Sequence, residues 1–186
     1  MGSFIKETGP GLWKILHSIQ THSDLKILSE IYKNIIPCEK CRKHFGEHLI
    51  SHPIPHDDIF EWTFHLHNKV NERNGKKIFT LEEAKKKTAL PPDYLEHRGI
   101  WFLLYKIAIL SDENSIEDAP SKLKNILKII TEDFLKIGKF PETSSSSFNW
   151  VVNSFNKHNI FGEKTDKEIA WSEYYNEKEC ESCKVI

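Results

Sequence analysis

Neither sign of charge dominates this chain: 26 Lys+Arg stand against 27 Asp+Glu, a formal net charge of −1 over 186 residues. The excess or block of Lys/Arg that marks a nucleic-acid binder is missing, so no nucleic-acid partner is expected. Long apolar runs are equally scarce. A membrane helix needs about 20 consecutive apolar residues; the longest stretch here, Gly99 to Leu110, is short and broken by Lys106, so no membrane span is expected either. The first residues, Met1-Gly2-Ser3-Phe4-Ile5-Lys6, offer no apolar core for a secretory signal and place Lys6 where a myristoylation signal has Ser or Thr. Cysteine is rare, only Cys38, Cys41, Cys180 and Cys183, which excludes a disulfide-stapled miniprotein. All four nevertheless fall into two Cys-x-x-Cys pairs, a concentration that points to redox or metal chemistry. Histidine is plentiful, ten residues mostly between His17 and His67, in the half that holds the first cysteine pair.

The length suits one ordinary domain or two compact ones, since domains run to roughly 100–200 residues. Apolar residues recur at three and four rather than two, so the pattern is helical almost throughout. Trp13, Leu16 and Ile19 form one stripe, and Leu25, Leu28, Ile31 and Ile35 another that Pro37 ends. A third helix is expected from near Cys38 to about His52, stopped by Pro53 and Pro55. A fourth should run from Ile59 to about Asn74, capped by Asp57 or Asp58 and closed by Gly75. Short loops between them imply a bundle. Past Pro91 and Pro92 a second helical set is expected over Tyr94 to Ser111, Ser121 to Gly138 and Phe148 to about Asn159, with the Ser144–Ser147 run as a loop and helix cap.

Sliding the sequence against itself by 88 residues aligns Gly11 with Gly99, Trp13 with Trp101, Leu16 with Leu104, Ile19 with Ile107, Phe60 with Phe148 and Trp62 with Trp150. Asn68-Lys69 also meets Asn156-Lys157, and Asn71 meets Asn159. Helical rhythm would align apolar residues, but it does not demand shared Trp, Gly and Asn, so the expectation is a duplicated bundle. The second copy has lost polar groups of the first. Ile126 and Ile129 stand at the equivalents of Cys38 and Cys41, and Tyr105, Asn153 and Phe155 at those of His17, His65 and His67.

Pro37-Cys38-Glu39-Lys40-Cys41 lies where a helix begins, and the free amides of a helix N-terminus stabilise a thiolate. The spacing of three lets both sulfurs meet as a disulfide, so the pair can cycle. Exchange alone only moves a disulfide between partners, and a net oxidant needs an electron acceptor beside it. Trp13 and His17 lie one turn apart, as do His67 and Asn71, with Lys76 just beyond. An indole to stack, imidazole and amide groups for ring and ribose contacts, and a lysine for phosphate would serve a flat cofactor with a diphosphate. The same residues also fit the core and rim of amphipathic helices.

Three segments together carry a resemblance: Gly9-Pro10-Gly11-Leu12-Trp13-Lys14-Ile15-Leu16-His17, then Pro37-Cys38-Glu39-Lys40-Cys41-Arg42, then Trp62-Thr63-Phe64-His65-Leu66-His67-Asn68-Lys69-Val70-Asn71 closing on Gly75-Lys76. In content, order and spacing they resemble the Erv/ALR family of FAD-dependent sulfhydryl oxidases over about residues 9 to 80. The resemblance implies an all-α fold, a four-helix Erv/ALR bundle binding FAD followed by a degenerate second helical bundle. It implies that Cys38–Cys41 is the active-site disulfide, with Cys41 against the isoalloxazine and Cys38 exchanging with incoming thiols. Gly9, Trp13, His17, Cys41, His65, His67, Asn68, Val70, Asn71 and Lys76 are the implied cofactor-binding residues, and no metal ligand is implied. Cys180-Glu181-Ser182-Cys183 looks like the shuttle pair that relatives carry on a tail.

The expected organisation is a catalytic unit over residues 1–90, a degenerate copy over 91–168 and a shuttle tail over 169–186. Expected partners are protein dithiol substrates and dioxygen, giving hydrogen peroxide, with a homodimer or a pseudo-dimer within one chain. With no address in the sequence, the relatives suggest a virus-infected cytoplasm or the mitochondrial intermembrane space. Two other readings remain open at this level. Zinc would be held by the four cysteines, or by Cys38 and Cys41 with His44 and His48; a cofactor-free thiol–disulfide oxidoreductase would consume no oxygen.

Overall fold

The computed structural model describes residues 4–36, 38–112, 119–141 and 147–157, and the regular structure among them is helical. Helices α1 (Phe4–Ser18), α2 (His22–Ile35), α3 (Glu39–Ser51) and α4 (Ile59–Arg73) follow in the first half. Their starts have local causes. Thr21 caps α2, its hydroxyl accepting from Asp24 N at 3.2 Å, and Cys38 occupies the corresponding position of α3. Of Asp57 and Asp58, the two expected candidates for the α4 cap, Asp58 occupies the position, but it sits in the left-handed region at φ 53 and makes no side-chain cap. Gly75, at φ +60, ends α4 as expected.

A fifth helix that the apolar pattern missed, α5 (Leu81–Ala89), buries no residue and rests on local chemistry. Thr80 and Glu83 form a reciprocal capping box, Glu83 N donating to Thr80 Oγ1 at 3.2 Å and Thr80 N to Glu83 Oε2 at 2.8 Å. Asp93 and Glu96 do the same at the start of α6 (Tyr94–Asp112).

The continuous helix expected over Ser121 to Gly138 is broken. It becomes α7 (Ala119–Lys122), α8 (Lys124–Lys128) and a π-helical turn over Ile129–Phe134. The wide turn shows in Leu135 N donating to Ile130 O and Ile137 N to Thr131 O, both at 2.9 Å. Helix α9 (Ser147–Lys157) is the last described element. No helix among the described residues is long and apolar enough to cross a membrane.

Helix α6 is the centre of the molecule. Ile100, Trp101, Phe102, Leu103 and Leu104 are five successive residues buried on every side of it, in one core with Ile15 and Leu16 of α1, Leu25 and Leu28 of α2, Ile126, and Val151 of α9. Helix α1 lies along it, and the two backbones touch at glycines. A Cβ at Gly11 would stand 2.3 Å from Glu96 O, and one at Gly99 would stand 2.1 Å from Thr8 O. These contacts are reciprocal: the 88-residue offset that carries Gly11 onto Gly99 carries Thr8 onto Glu96. Such mutual exchange of contacts is what a two-fold axis produces. The same offset separates the starts of α4 and α9, Ile59 and Ser147, and α9 packs on α6 as α4 packs on α1.

Candidate active site

Side-chain bonds help to hold the first cysteine pair. Arg42 Nη1 donates to Ile36 O at 2.5 Å and Cys41 N donates to Cys38 Sγ at 3.2 Å, so the segment entering α3 is fastened from both ends. Cys38 is buried, 4% exposed, and Cys41 is half-buried. Behind them Phe45 meets the Tyr32 ring at 6.1 Å, and the buried Tyr32 hydroxyl donates to Leu12 O at 2.7 Å, which ties α2 to α1. Burial raises the Tyr32 phenol well above its ordinary range.

Between α1 and α4 lies a cluster of rings. Trp13 stacks face to face on His67, with centroids 4.1 Å apart and planes 5° from parallel. His17 meets His67 edge to edge, Nε2 to Nδ1 at 2.9 Å, and its other nitrogen lies 2.9 Å from Thr63 Oγ1. Desolvation, helped by the Lys14 charge, lowers His17 from 6.5 to about 4. Desolvation, helped by His17, Lys87 and Lys76, lowers His67 to about 3. Both imidazoles are therefore neutral at pH 7. Thr63 is fully buried, and sequence reasoning missed it although it lies one turn before His67 on the same helix face.

Asn71, a further turn along that face, is buried with its Nδ2 unpartnered among the described residues. A buried amide donor without an acceptor is costly, and an acceptor on a bound group would satisfy it. Lys76 is exposed just past Gly75, its backbone N donating to Asn71 O at 2.8 Å. Gly9 has nothing within 4 Å of where a Cβ would be. These neighbours suit a flat aromatic group: neutral rings to stack, an amide donor and a cation at the rim.

The other expected ligands are not part of this ring cluster. His65 is exposed on the outer face of α4, 3.5 Å from Glu61. Asn68 uses its amide to grip the strap after α4, donating to Phe79 O at 2.8 Å and accepting from Phe79 N at 3.1 Å. Both border a groove of about 590 Å³ with His48, His52, Trp62 and Lys69. Val70 is half-buried. Cys180 and Cys183 lie outside the described residues. His48, offered as a zinc ligand with His44, instead stacks on His52 at 4.5 Å, and no three metal-ligating side chains converge among the described residues.

Lys14 is a second residue that the sequence did not single out. Its ammonium is buried, donating to Leu90 O at 2.7 Å and Lys87 O at 3.2 Å, 3.8 Å from Glu96. It thereby joins α1 to the end of α5 and the start of α6. Burial lowers its pKa, partly opposed by Glu96.

Comparison with known proteins gives a consistent result. The Erv1 / Alr family profile matches residues 10–89. An Arabidopsis thaliana FAD-linked sulfhydryl oxidase is 31% identical over 92 residues, covering 42% of this chain and 48% of that protein. An FAD-linked sulfhydryl oxidase of African swine fever virus is 34% identical over 90 residues, 41% of this chain and 76% of the viral protein. A probable FAD-linked sulfhydryl oxidase of Acanthamoeba polyphaga mimivirus is 36% identical over 59 residues, 28% of this chain and 41% of that protein. The chain thus spans about half the length of the plant and mimivirus relatives. No solved structure matches. With the family profile over the segment that holds both the cysteine pair and the ring cluster, and with three quarters of the swine fever virus protein covered, this chain belongs to the Erv1 / Alr family.

Proposed function

We propose that the chain is an FAD-dependent sulfhydryl oxidase that makes disulfides in protein thiol substrates. The observation that carries this is the Cys38–Cys41 pair at the start of α3, packed on the same core as Trp13 of the Trp13–His67 stack. Trp13, His17, His67 and Asn71 would hold the cofactor, with Lys76 near its phosphates, Gly9 leaving it room, and His65, Asn68 and Val70 along its outer parts. Bound FAD supplies a two-electron acceptor that dioxygen regenerates, with release of hydrogen peroxide.

The chain's own work is thiol exchange. A substrate thiolate attacks Cys38 Sγ of the Cys38–Cys41 disulfide, and Cys41 leaves as a thiolate. The second substrate thiolate attacks the mixed disulfide, so the substrate departs oxidised by two electrons and the pair is reduced by two. Cys41 N at 3.2 Å is placed to donate to the Cys38 sulfur when it is the leaving group. Because Cys38 is buried, attack requires the segment before α3 to move aside. In this scheme Cys180 and Cys183 relay electrons from protein substrates.

Residues 91–168 are read as a degenerate copy of the bundle that takes the place of a dimer mate, with a tail over 169–186. The 88-residue offset and the reciprocal Gly11 and Gly99 contacts support that reading.

The test is an absorption spectrum of the purified chain followed by oxygen uptake on adding dithiothreitol. A flavin spectrum and oxygen uptake are expected, with Cys38→Ser and Cys41→Ser retaining flavin and losing turnover. A colourless protein with stoichiometric zinc, or wild-type turnover in either variant, overturns the proposal.

A further inference from the structure

The hydrogen bonds between α1 and α4 have a direction. Thr63 Oγ1 donates to Phe60 O at 2.9 Å. A hydroxyl has one hydrogen, so toward His17 Nδ1, 2.9 Å away, Oγ1 is an acceptor and Nδ1 carries the hydrogen. A neutral imidazole has one N–H, which leaves His17 Nε2 bare. His67 Nδ1, 2.9 Å from it, must then be the donor, and His67 Nε2 is bare in turn. Reversing the order would turn the Thr63 hydroxyl to His17 and make His67 Nε2 an N–H. The forward order forms three hydrogen bonds and the reversed order two, because the single Thr63 hydrogen leaves Phe60 O. The rings cannot swing to escape this choice, since Trp13 covers His67 at 4.1 Å and Phe60 lies 5.5 Å from His17.

We propose that Thr63 is a positioning residue that sets the tautomers of His17 and His67, making His67 Nε2 an acceptor for a hydroxyl or N–H of the bound cofactor. Phosphate and carbonyl oxygens, which only accept, are excluded from that nitrogen. The identity of the ligand rests on the FAD reading above; the order of the hydrogens stands without it.

Nitrogen-15 spectra of the full chain, histidine-labelled and flavin-free, report the tautomers directly. His17 and His67 should both carry hydrogen on Nδ1. Thr63→Val keeps the shape but removes the acceptor for His17 Nδ1–H, so it should shift both rings toward Nε2–H. It should also weaken FAD binding on the order of tenfold, about one hydrogen bond. Thr63→Ser should restore both readouts, which a merely structural role for the methyl group would not allow. Nε2–H on His67 of the wild-type chain overturns the inference. So do tautomers that survive Thr63→Val, or FAD affinity that ignores a tautomer change. A wild-type chain with the expected tautomers that binds no FAD overturns instead the cofactor reading, and the ligand half of this inference with it.

Discussion

Replacing Gly11 by alanine tests the packing of α1 on α6. The new Cβ would lie 2.3 Å from Glu96 O, 2.4 Å from Ile100 N and 2.5 Å from the Gly99 carbonyl carbon. All three are backbone atoms of α6 where it crosses α1, so no side chain can rotate away. The helices must part by roughly 1 Å to reach ordinary contact, and that loosens Ile15, Ile100 and Leu104, all fully buried or nearly so. Overpacking costs about 1–3 kcal/mol where side chains can adjust; with rigid backbone on both sides about 3 kcal/mol or more is expected, against a total stability of about 5–15. Gly99→Ala meets Thr8 O at 2.1 Å and should cost as much. Because one separation relieves both clashes, the double variant should cost clearly less than the sum. Gly46→Ala is the control: its nearest neighbour is Lys33 Cδ at 3.9 Å, so it should stabilise α3 by about 0.5–1 kcal/mol. Urea unfolding followed by circular dichroism measures all four. The reasoning fails if Gly11→Ala and Gly99→Ala lie within about 1 kcal/mol of wild type, or if their costs simply add.

Acid should destabilise the protein early. His17 and His67 titrate in the fold at about 4 and about 3, below the ordinary 6.5, so the unfolded chain binds more protons between those values. Their contribution is complete above pH 6.5 and is lost as pH falls toward 4 and then 3, with His17 alone worth up to about 3 kcal/mol. Lys14, Lys76 and Lys87 face this pair and strengthen the effect. Flat urea midpoints between pH 7 and 5 would contradict it. Lys14→Met should cost about 3–5 kcal/mol, since it removes one donor each from Lys87 O and Leu90 O and leaves the buried Glu96 carboxylate with its bond from Asp93 N and the more distant Lys87 at 3.9 Å; chemical denaturation with less than 1 kcal/mol of loss would count against the buried ion pair. Replacing Cys180 and Cys183 by serine should spare oxidation of dithiothreitol and slow that of a reduced protein, and equal loss for both substrates in oxygen-uptake assays would remove the relay.

Helical rhythm and proline stops located α2, α3 and α4 well, because each buries one face and begins at a polar or cysteine cap. Helix α5 left no mark in that rhythm, because it buries nothing and depends on the Thr80–Glu83 box, a signal present in the sequence but not in its apolar pattern. The π-helical turn is equally silent, since its wider turn does not disturb the spacing of Ile126, Ile130 and Phe134 enough to show. At the site, the stripe of Trp13 and His17 and the spacing of His67 and Asn71 were visible as faces of two helices. Their meeting was not, because nothing in a one-dimensional spacing says which faces oppose. The resemblance grouped His65 and Asn68 with these residues; His65 is exposed beside Glu61, and Asn68, one turn before Asn71, spends its amide on Phe79. Thr63 and Lys14 went unnoticed because a threonine and a lysine in amphipathic helices are ordinary until their surroundings are known.

Since α1 and α6 belong to one polypeptide, the association they form is a first-order event, and dilution cannot dissolve it. Two separate subunits pressed together at matching glycines would drift apart at low abundance and would have to remain identical. On the duplicated reading proposed above, covalent linkage would remove both demands, leaving the back half of the chain at liberty to trade its imidazoles and thiols for other side chains while still holding its neighbour upright.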